Sequence, residues 1–242
     1  MRDWLTARPI AHRGLHEAAS GVIENTASAF QAAIDGGYGI ECDLQISADG
    51  EAMVHHDDAL GRVTDGAGRL NAMTTAALKR VAFKASADRM LTLGELCDLI
   101  GGRTTLVIEL KGRIAGDTKL AARTAQVLAG SSAPIAVMSF EPGLMAALRR
   151  LTPSLPLGLV AMRRNASESS TAHASRWRYA REALAARPQF LAYRVQDLTS
   201  APPLVARHVL GWPLLTWTVR SQEDRARAAR YADQIIFEGF RA

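Results

Sequence analysis

Short apolar runs that alternate with helical patterns constrain the fold of this 242-residue chain more than any other feature. Alternation of strands and helices indicates a parallel sheet covered by helices. Eight such units in about 240 residues predict a (β/α)8 barrel, and a doubly wound open sheet is the alternative. The predicted strands are Ile10–Arg13, Ile40–Ile46, Leu106–Lys111, Ile135–Phe140, Leu157–Met162, Phe190–Val195, Leu214–Val219 and Gln234–Gly239. The predicted helices include Thr26–Asp35, Thr118–Leu128, Glu141–Arg150, Trp177–Ala186 and Gln222–Tyr231.

One segment interrupts this alternation. Glu51–His56 also predicts a strand, and only Ser47-Ala48-Asp49-Gly50 separates it from the strand that ends at Ile46. A connection this short forms an antiparallel hairpin, because a parallel crossover needs about a dozen residues or more. We therefore predict that residues 47 to about 90 form an insertion over the barrel mouth, within one domain spanning residues 1–242. A polar stretch, Asn165–Ser175, predicts a mobile loop on the same rim.

Composition narrows the setting of the chain. Two cysteines, Cys42 and Cys97, do not make a disulfide framework and fit a reducing compartment. Neither a secretory leader nor an apolar stretch of about 18 residues is visible, so we expect a cytoplasmic protein with no membrane span. The net charge of +5 favours contact with an anionic substrate or a lipid surface, or it reflects a solvated arginine-rich exterior. No nucleic-acid motif accompanies it.

Polar residues cluster at the predicted C-terminal strand ends, where β/α barrels have their active sites. The clusters are His12-Arg13-Gly14, Glu41-Cys42-Asp43, His55-His56-Asp57 and Glu109-Leu110-Lys111. Because side chains alternate along a strand, Glu41 and Asp43 share a face, as do Glu109 and Lys111. Three inward carboxylates repel one another unless a divalent cation lies between them, and oxygen ligands favour Mg²⁺ or Ca²⁺.

Each cluster also has a structural interpretation. Glu109 and Lys111 are equally consistent with a simple ion pair, and His12 with a hydrogen-bonded core histidine. Alternation does not choose between His55 and His56, because neighbouring strand residues face opposite ways. Dinucleotide and phosphate-binding glycine motifs and the Gly-x-Ser-x-Gly nucleophile elbow are absent, which removes those enzyme classes.

The order of the motifs resembles that of glycerophosphodiester phosphodiesterases, most closely over residues 10–140. The matching motifs are His12-Arg13-Gly14, Glu24-Asn25-Thr26, Ala29-Phe30, Glu41-x-Asp43, Asp49-Gly50, His56-Asp57-x-x-Leu60-x-Arg62-x-Thr64, Thr92-Leu93-x-Glu95, Ile108-Glu109-Leu110-Lys111, Ser139-Phe140 and Trp217-Thr218-Val219. The chain departs from the family pattern at Ile23, where Pro is usual, and at Arg220, where Asn is usual. Its last strand ends in Phe237-Glu238-Gly239 instead of a Thr-Asp pair near a Pro.

The resemblance implies a (β/α)8 barrel with an insertion after its second strand and a small-molecule glycerophosphodiester as substrate. It implies hydrolysis to sn-glycerol 3-phosphate and an alcohol. Alternatives are a phospholipase-type enzyme acting on lysophospholipids or other lipid diesters, with peripheral lipid contact, and a phosphodiester-binding barrel without turnover. The oligomeric state stays open. The implied residues are Glu41, Asp43 and Glu109 as ligands of one divalent cation, Mg²⁺ or Ca²⁺, His12 and His56 as acid and base, Arg13 and Lys111 near the phosphate, and Glu24, Asn25 and Trp217 as further site candidates.

Overall fold

Eight parallel strands form a closed barrel in the computed structural model, which describes residues 3–112, 117–163 and 172–242. The strands of the described residues are β1 (Ile10–Ala11), β2 (Gly39–Ile46), β3 (Ala52–Val54), β4 (Leu106–Leu110), β5 (Ile135–Ser139), β6 (Leu157–Ala161), β7 (Phe190–Arg194), β8 (Leu214–Val219) and β9 (Gln234–Phe237), and all of them except β3 belong to the barrel. Around the barrel the order is β1-β9-β8-β7-β6-β5-β4-β2, and β1 pairs with β2 to close it. Closure confirms the predicted barrel and excludes the open sheet.

Helices separate most of the strands. They are α1 (Ala27–Asp35), α2 (Thr75–Leu78), α3 (Leu93–Ile100), α4 (Lys119–Val127), α5 (Pro142–Leu151), α6 (Ala172–Ala186), α7 (Ala201–His208) and α8 (Gln222–Tyr231). Local signals explain several helix starts: Thr92 and Glu95 form a reciprocal capping box at α3, and the Ser221 hydroxyl accepts a hydrogen bond from Asp224 N at α8. None of the described helices has the length and apolar character needed to cross a bilayer.

The structure corrects predicted boundaries and adds one helix. The first strand ends at Ala11 rather than Arg13, because Arg13 adopts a left-handed conformation (φ +59°) that turns the chain. The helix α6 begins at Ala172 rather than Trp177, so the last part of the predicted loop Asn165–Ser175 is helical, and residues 165–171 lie outside the described part. The helix α7 was not predicted.

Alternation along the strands separates two apolar layers. On β4, Leu106, Ile108 and Leu110 pack outward against the helices, whereas Val107 belongs to a smaller cluster inside the barrel. Phe190 on β7 belongs to this inner cluster and packs directly against Gly158 on the neighbouring strand. A Cβ atom at Gly158 would lie 2.3 Å from the Phe190 ring, so the position has room only for glycine. The barrel interior is therefore apolar, and the polar side chains of interest lie at the C-terminal ends of the strands.

The insertion begins as a hairpin, as predicted. The strand β3 runs antiparallel to β2, with Leu44 opposite Val54, and Gly50 takes a left-handed conformation (φ +86°) in the turn. A separate apolar cluster supports the residues that follow; its buried members are Ile23, Met53, Leu60, Leu70, Leu78, Phe83 and Met90. The chain that leaves β3 carries His55 and His56 back to the barrel mouth.

Candidate active site

Three acidic side chains form a buried cluster at the C-terminal end of the barrel. Glu41 and Asp43 lie on one face of β2, and Glu109 lies opposite Asp43 in the register with β4. One carboxylate oxygen from each lies within 4.8 Å of the other two, and all three residues are at most 7% exposed. The predicted convergence of these residues is therefore present.

Burial and mutual repulsion shift the pKa values of the three carboxylates. Burial, together with the charges of Asp43 and Glu109, raises the pKa of Glu41 well above its ordinary value. Burial and the nearby Asp43 raise the pKa of Glu109 to about 7, even though Lys111 opposes the change. Burial would also raise the pKa of Asp43, but the charges of Lys111 and Arg13 outweigh it and lower that pKa. The protein alone therefore does not stabilise all three carboxylates in their charged form.

The same residues fit a divalent cation. The Lys111 ammonium lies 2.6 Å from Glu109 Oε1 and 2.8 Å from Asp43 Oδ1, yet Asp43 Oδ1 is buried without a hydrogen bond of good geometry. Among the described residues with a permanent positive charge, Lys111 and Arg13 face the three carboxylates, and Arg13 also binds Glu24. An all-oxygen donor set with surplus negative charge suits a hard ion such as Mg²⁺ or Ca²⁺.

Asn25 holds one member of the cluster in place. Its Nδ2 donates a 2.9 Å hydrogen bond to Asp43 Oδ2, and its Oδ1 accepts one from the Asp43 backbone N–H at 3.3 Å. Asn25 is buried and left-handed (φ +57°), a conformation that asparagine tolerates better than most residues. Arg13 is left-handed too, and its backbone N–H donates to Glu41 Oε2 at 3.1 Å. Two turns thus point polar groups at the carboxylates.

A chain of charged side chains links the insertion to the barrel. His56 Nδ1 lies 2.8 Å from Asp57 Oδ1, and Arg62 Nε donates to Asp57 Oδ2 at 2.6 Å. The Arg62 guanidinium also binds both oxygens of Glu24, at 2.5 and 2.8 Å, and Glu24 Oε1 accepts from Arg13 at 2.7 Å. Burial alone would raise the pKa of Glu24, but the hydrogen bond from Arg62 and the charge of Arg13 lower it to about 2. This series of ion pairs fixes Asp57, and Asp57 orients the His56 ring through its Nδ1 atom.

His12 lies close to the cluster and has its own carboxylate partner. Its Nδ1 lies 2.7 Å from Glu238 Oε2, and its Nε2 lies 3.9 Å from Glu41 Oε2. Burial lowers the pKa of His12, and the hydrogen bond that the ring makes to Glu238 opposes that effect. Glu238 in turn accepts a 2.8 Å hydrogen bond from Arg220 Nη2. Burial would raise the pKa of Glu238, but its bonds to His12 and Arg220 lower it to about 2.

These groups surround an open cavity of about 230 Å³. Its charged wall consists of His12, Arg13, Glu41, His56, Glu109, Lys111 and Arg220. Its apolar wall includes Phe140 and Trp217, whose rings meet edge to face at 5.5 Å. The Trp217 indole N–H is buried with no hydrogen-bond partner among the described residues. His56 lines this cavity, whereas His55 does not and is only 2% exposed.

The sequence-predicted site residues therefore lie together, in three layers. Most line the cavity, Asp43 completes the acidic cluster, and Glu24 and Asn25 support it from behind. Sequence reasoning assigned no role to Asp57, Arg62, Arg220 or Glu238. The adjacency of Asp57 to His56 was an available signal, since carboxylates often orient imidazoles. Arg220 and Glu238 were visible only as departures from the family pattern.

A buried acidic cluster beside a cavity that two imidazoles also line, at the mouth of a (β/α)8 barrel, defines a barrel protein with a candidate metal centre suited to phosphate-ester chemistry. Arg13 and Lys111 beside that centre are the cations that such an anionic ester requires. The chain belongs to the glycerophosphoryl diester phosphodiesterase family, whose sequence model matches residues 12–237.

Individual proteins of known sequence or structure are similar to this chain. A glycerophosphodiester phosphodiesterase of Caldanaerobacter subterraneus subsp. tengcongensis is 30% identical over 161 residues, which cover 62% of this chain and 65% of that protein. A phosphodiesterase of Oleispira antarctica, solved in complex with the product sn-glycerol-3-phosphate, superposes with a TM-score of 0.78 at 21% identity, covering 97% of this chain and 94% of the other. The structure of a glycerophosphodiester phosphodiesterase of Thermotoga maritima superposes with a TM-score of 0.70 at 21% identity, covering 94% of this chain and 92% of the other. The two structures share the fold of this chain.

Proposed function

We propose that this protein is an enzyme that hydrolyses glycerophosphodiesters to sn-glycerol 3-phosphate and an alcohol. The observation that carries the proposal is the acidic cluster of Glu41, Asp43 and Glu109 in a cavity shared with two imidazoles, His12 and His56. A binding module needs no pair of proton-transferring groups, whereas hydrolysis of an ester does. Family membership supports the same reaction.

Binding of the substrate is assigned to the cationic side of the cavity. A phosphodiester carries one negative charge, which repels a nucleophile, and we propose that Arg13 and Lys111, which line the cavity, neutralise it. We propose that Glu41, Asp43 and Glu109 hold one divalent cation, Mg²⁺ or Ca²⁺. When bound, that ion supplies Lewis-acid stabilisation of the charge that builds on the phosphoryl oxygens.

Proton transfer is the task of the two histidines. A glycerol moiety offers a hydroxyl next to the esterified one; as its oxygen bonds to phosphorus, one imidazole takes its proton. The bond from phosphorus to the departing alcohol breaks, and the other imidazole gives that alcohol its proton. Water then opens the resulting cyclic phosphate with the two roles reversed, which returns both imidazoles to their starting states. Each such transfer typically contributes about 10²–10⁴-fold to the rate.

The carboxylates behind the histidines prepare this exchange. Both Asp57 and Glu238 approach an Nδ1 atom, at 2.8 and 2.7 Å respectively. An ionised carboxylate only accepts hydrogen bonds, so each neutral imidazole carries its proton on Nδ1 and leaves Nε2 free to act on the substrate. The geometry therefore suits both His12 and His56 for proton transfer.

A substrate panel tests the proposal. Glycerophosphocholine, glycerophosphoethanolamine and lysophosphatidylcholine are incubated with protein stripped by EDTA and reloaded with Mg²⁺, Ca²⁺ or Mn²⁺, and released sn-glycerol 3-phosphate is measured with its dehydrogenase. We expect cation-dependent release from the two glycerophosphodiesters. Choline release from lysophosphatidylcholine alone would favour the lipid-diesterase alternative, and no turnover with any cation would favour the non-catalytic barrel.

Two further properties belong to this proposal. We propose that residues 1–242 fold as one barrel domain whose insertion carries His56. We also propose a cytoplasmic location, because Cys42 and Cys97 are both unpaired in the structure.

A further inference from the structure

Two residues that depart from the family pattern, Arg220 and Glu238, meet directly behind His12. We propose that Glu238 is the positioning residue of His12 and that Arg220 holds Glu238 in that role. The inference rests on the proposed function only where it concerns turnover. Its structural part, the orientation of the His12 ring, stands without it.

The first step of the argument is the geometry around His12. Glu238 Oε2 lies 2.7 Å from Nδ1, and the opposite ring nitrogen lies 3.9 Å from Glu41 Oε2. The imidazole is thus held between two carboxylates, one on the far side of the ring and one in the acidic cluster. Because Glu238 can only accept, it selects the tautomer with the proton on Nδ1 and directs Nε2 at the cavity.

The second step is the placement of the pair on the barrel. Arg220 directly follows β8 and Glu238 directly follows β9, its neighbour in the sheet. The Glu238 backbone N–H donates to Val219 O at 3.1 Å, and the Arg220 backbone N–H donates to Asp224 Oδ2 at 3.2 Å. Backbone hydrogen bonds therefore fix both residues at the rim independently of the contact between their side chains.

The third step is the contact between the two side chains. Arg220 Nη2 donates at 2.8 Å to Glu238 Oε2, the same oxygen that faces His12. Glu238 reaches the histidine through two rotatable methylene groups, so a second bond to its carboxylate restricts where that oxygen lies. In the described part of the chain, Arg220 is the arginine within ion-pair distance of Glu238.

The fourth step is a comparison with the other histidine. His56 is backed by Asp57, and Asp57 by Arg62, at 2.8 and 2.6 Å. His12 is backed by Glu238 and Arg220 in the same order of chemical groups. The two residues that depart from the pattern therefore contact each other, and together they give His12 an imidazole–carboxylate–guanidinium arrangement like the one that His56 has within its own segment.

The test uses Glu238→Met, which keeps a similar unbranched side chain and removes the acceptor. Glu238→Asp is the conservative variant, and Arg220→Gln removes the second bond. The matched control is Glu223→Met, because Glu223 binds Arg227 at 2.9 Å on α8 and is 80% exposed. Full-length proteins are compared by ¹⁵N chemical shifts of the His12 ring, by thermal unfolding, and by kcat and KM for glycerophosphocholine with saturating cation.

We expect wild-type His12 to show the Nδ1–H tautomer and Glu238→Met to shift it towards Nε2–H. The kcat of Glu238→Met should fall by about 10–100-fold with KM changed by less than about threefold, because orientation and not substrate binding is lost. Glu238→Asp should recover part of kcat, Arg220→Gln should lose less than Glu238→Met, and the control should match wild type in all three measurements.

Two results would overturn the inference. One is an unchanged His12 tautomer in Glu238→Met; the other is a loss of kcat no larger than in the control. If Glu238→Met fails to fold, the tautomer and kcat of Glu238→Asp and Arg220→Gln decide, and wild-type values in both variants reject the positioning role. Wild-type protein that turns over no glycerophosphodiester would reject the proposed function, and the ¹⁵N shifts would still decide this inference.

Discussion

Glu109→Gln gives the sharpest test of the charge imbalance in the acidic cluster. Burial and Asp43 raise the pKa of Glu109 from an ordinary value of 4.5 to about 7. The folded protein therefore binds more protons than the unfolded chain between these values, so stability falls as the pH rises through that window. This difference between the pKa values of the folded and unfolded states corresponds to about 3 kcal/mol of lost stability at pH 8 in cation-free protein.

Replacing Glu109 with glutamine removes that ionisation at little change in size. In EDTA at pH 8 we expect the variant to be more stable than wild type, by up to about 3 kcal/mol, and at pH 4.5 we expect near equality. Addition of Ca²⁺ or Mg²⁺ at 100 times the Kd should stabilise wild type by about 2.7 kcal/mol. The variant lacks one of three carboxylates, so its free energy of unfolding should rise less on addition of the cation. The cation should therefore narrow or reverse the difference in stability between the variant and wild type.

Urea unfolding at both pH values, with EDTA and with excess cation, measures these free energies. Glu51→Gln is the matched control, since Glu51 binds Arg123 at 2.8 Å away from the cluster and its pKa is lowered by that bond. The control should be no more stable than wild type at pH 8 and should keep the full response to cation. A Glu109→Gln protein that is less stable than wild type in EDTA at pH 8, with an unchanged gain from cation, would refute the reasoning.

Other changes probe the remaining groups. His12→Ala and His56→Ala should each abolish turnover while thermal unfolding shows a folded protein, because each removes a proton-transferring group; His55→Ala should reduce turnover less. Asn25→Ala should weaken cation binding by about 10–100-fold in calorimetric titration, because Asp43 loses its amide support. Arg62→Gln should lower kcat more than it raises KM in steady-state assays, because it releases the carboxylate behind His56.

Each of these has a contradicting outcome. Turnover that survives in His12→Ala or His56→Ala would show that this histidine takes no part in the proton transfers. A His55→Ala protein without activity would show that His55, and not His56, is the imidazole that transfers the proton. Wild-type cation affinity in Asn25→Ala would show that Asp43 needs no amide support. An Arg62→Gln protein with unchanged kcat would leave the chain from Glu24 to His56 without a role in turnover. Gln126→Glu is a suitable surface control for all four variants, because Gln126 is an exposed residue of α4.

Local signals explain why much of the fold was predictable. A hairpin follows from the length of the link between β2 and β3, since the five residues 47–51 cannot carry a parallel crossover. Helix boundaries at α3 and α8 follow from side chains that cap their own first turns. The helix α7 was missed because it opens with Ala201-Pro202-Pro203, and proline reads as a breaker although it is compatible with a first helical turn. The early end of β1 depends on the left-handed Arg13, which no periodicity reveals.

The candidate site was predictable to the extent that alternation and strand ends define it. Two residues apart on β2, Glu41 and Asp43 must share a face, and the parallel pairing of β4 with β2 places Glu109 opposite Asp43. The contact between His12 and Glu238 spans 226 residues of sequence and depends on β1 lying beside β9. Spacing carries no information about such a pair, so it becomes visible only when the barrel is closed.

Anomalous diffraction from crystals soaked with Mn²⁺ tests the central claim most directly, because it locates a cation without relying on activity. We predict one strong peak within coordination distance of carboxylate oxygens from Glu41, Asp43 and Glu109, and no such peak in crystals of Glu109→Gln at the same Mn²⁺ concentration. A peak bound by other side chains, or none in crystals of protein that hydrolyses glycerophosphodiesters, would contradict it.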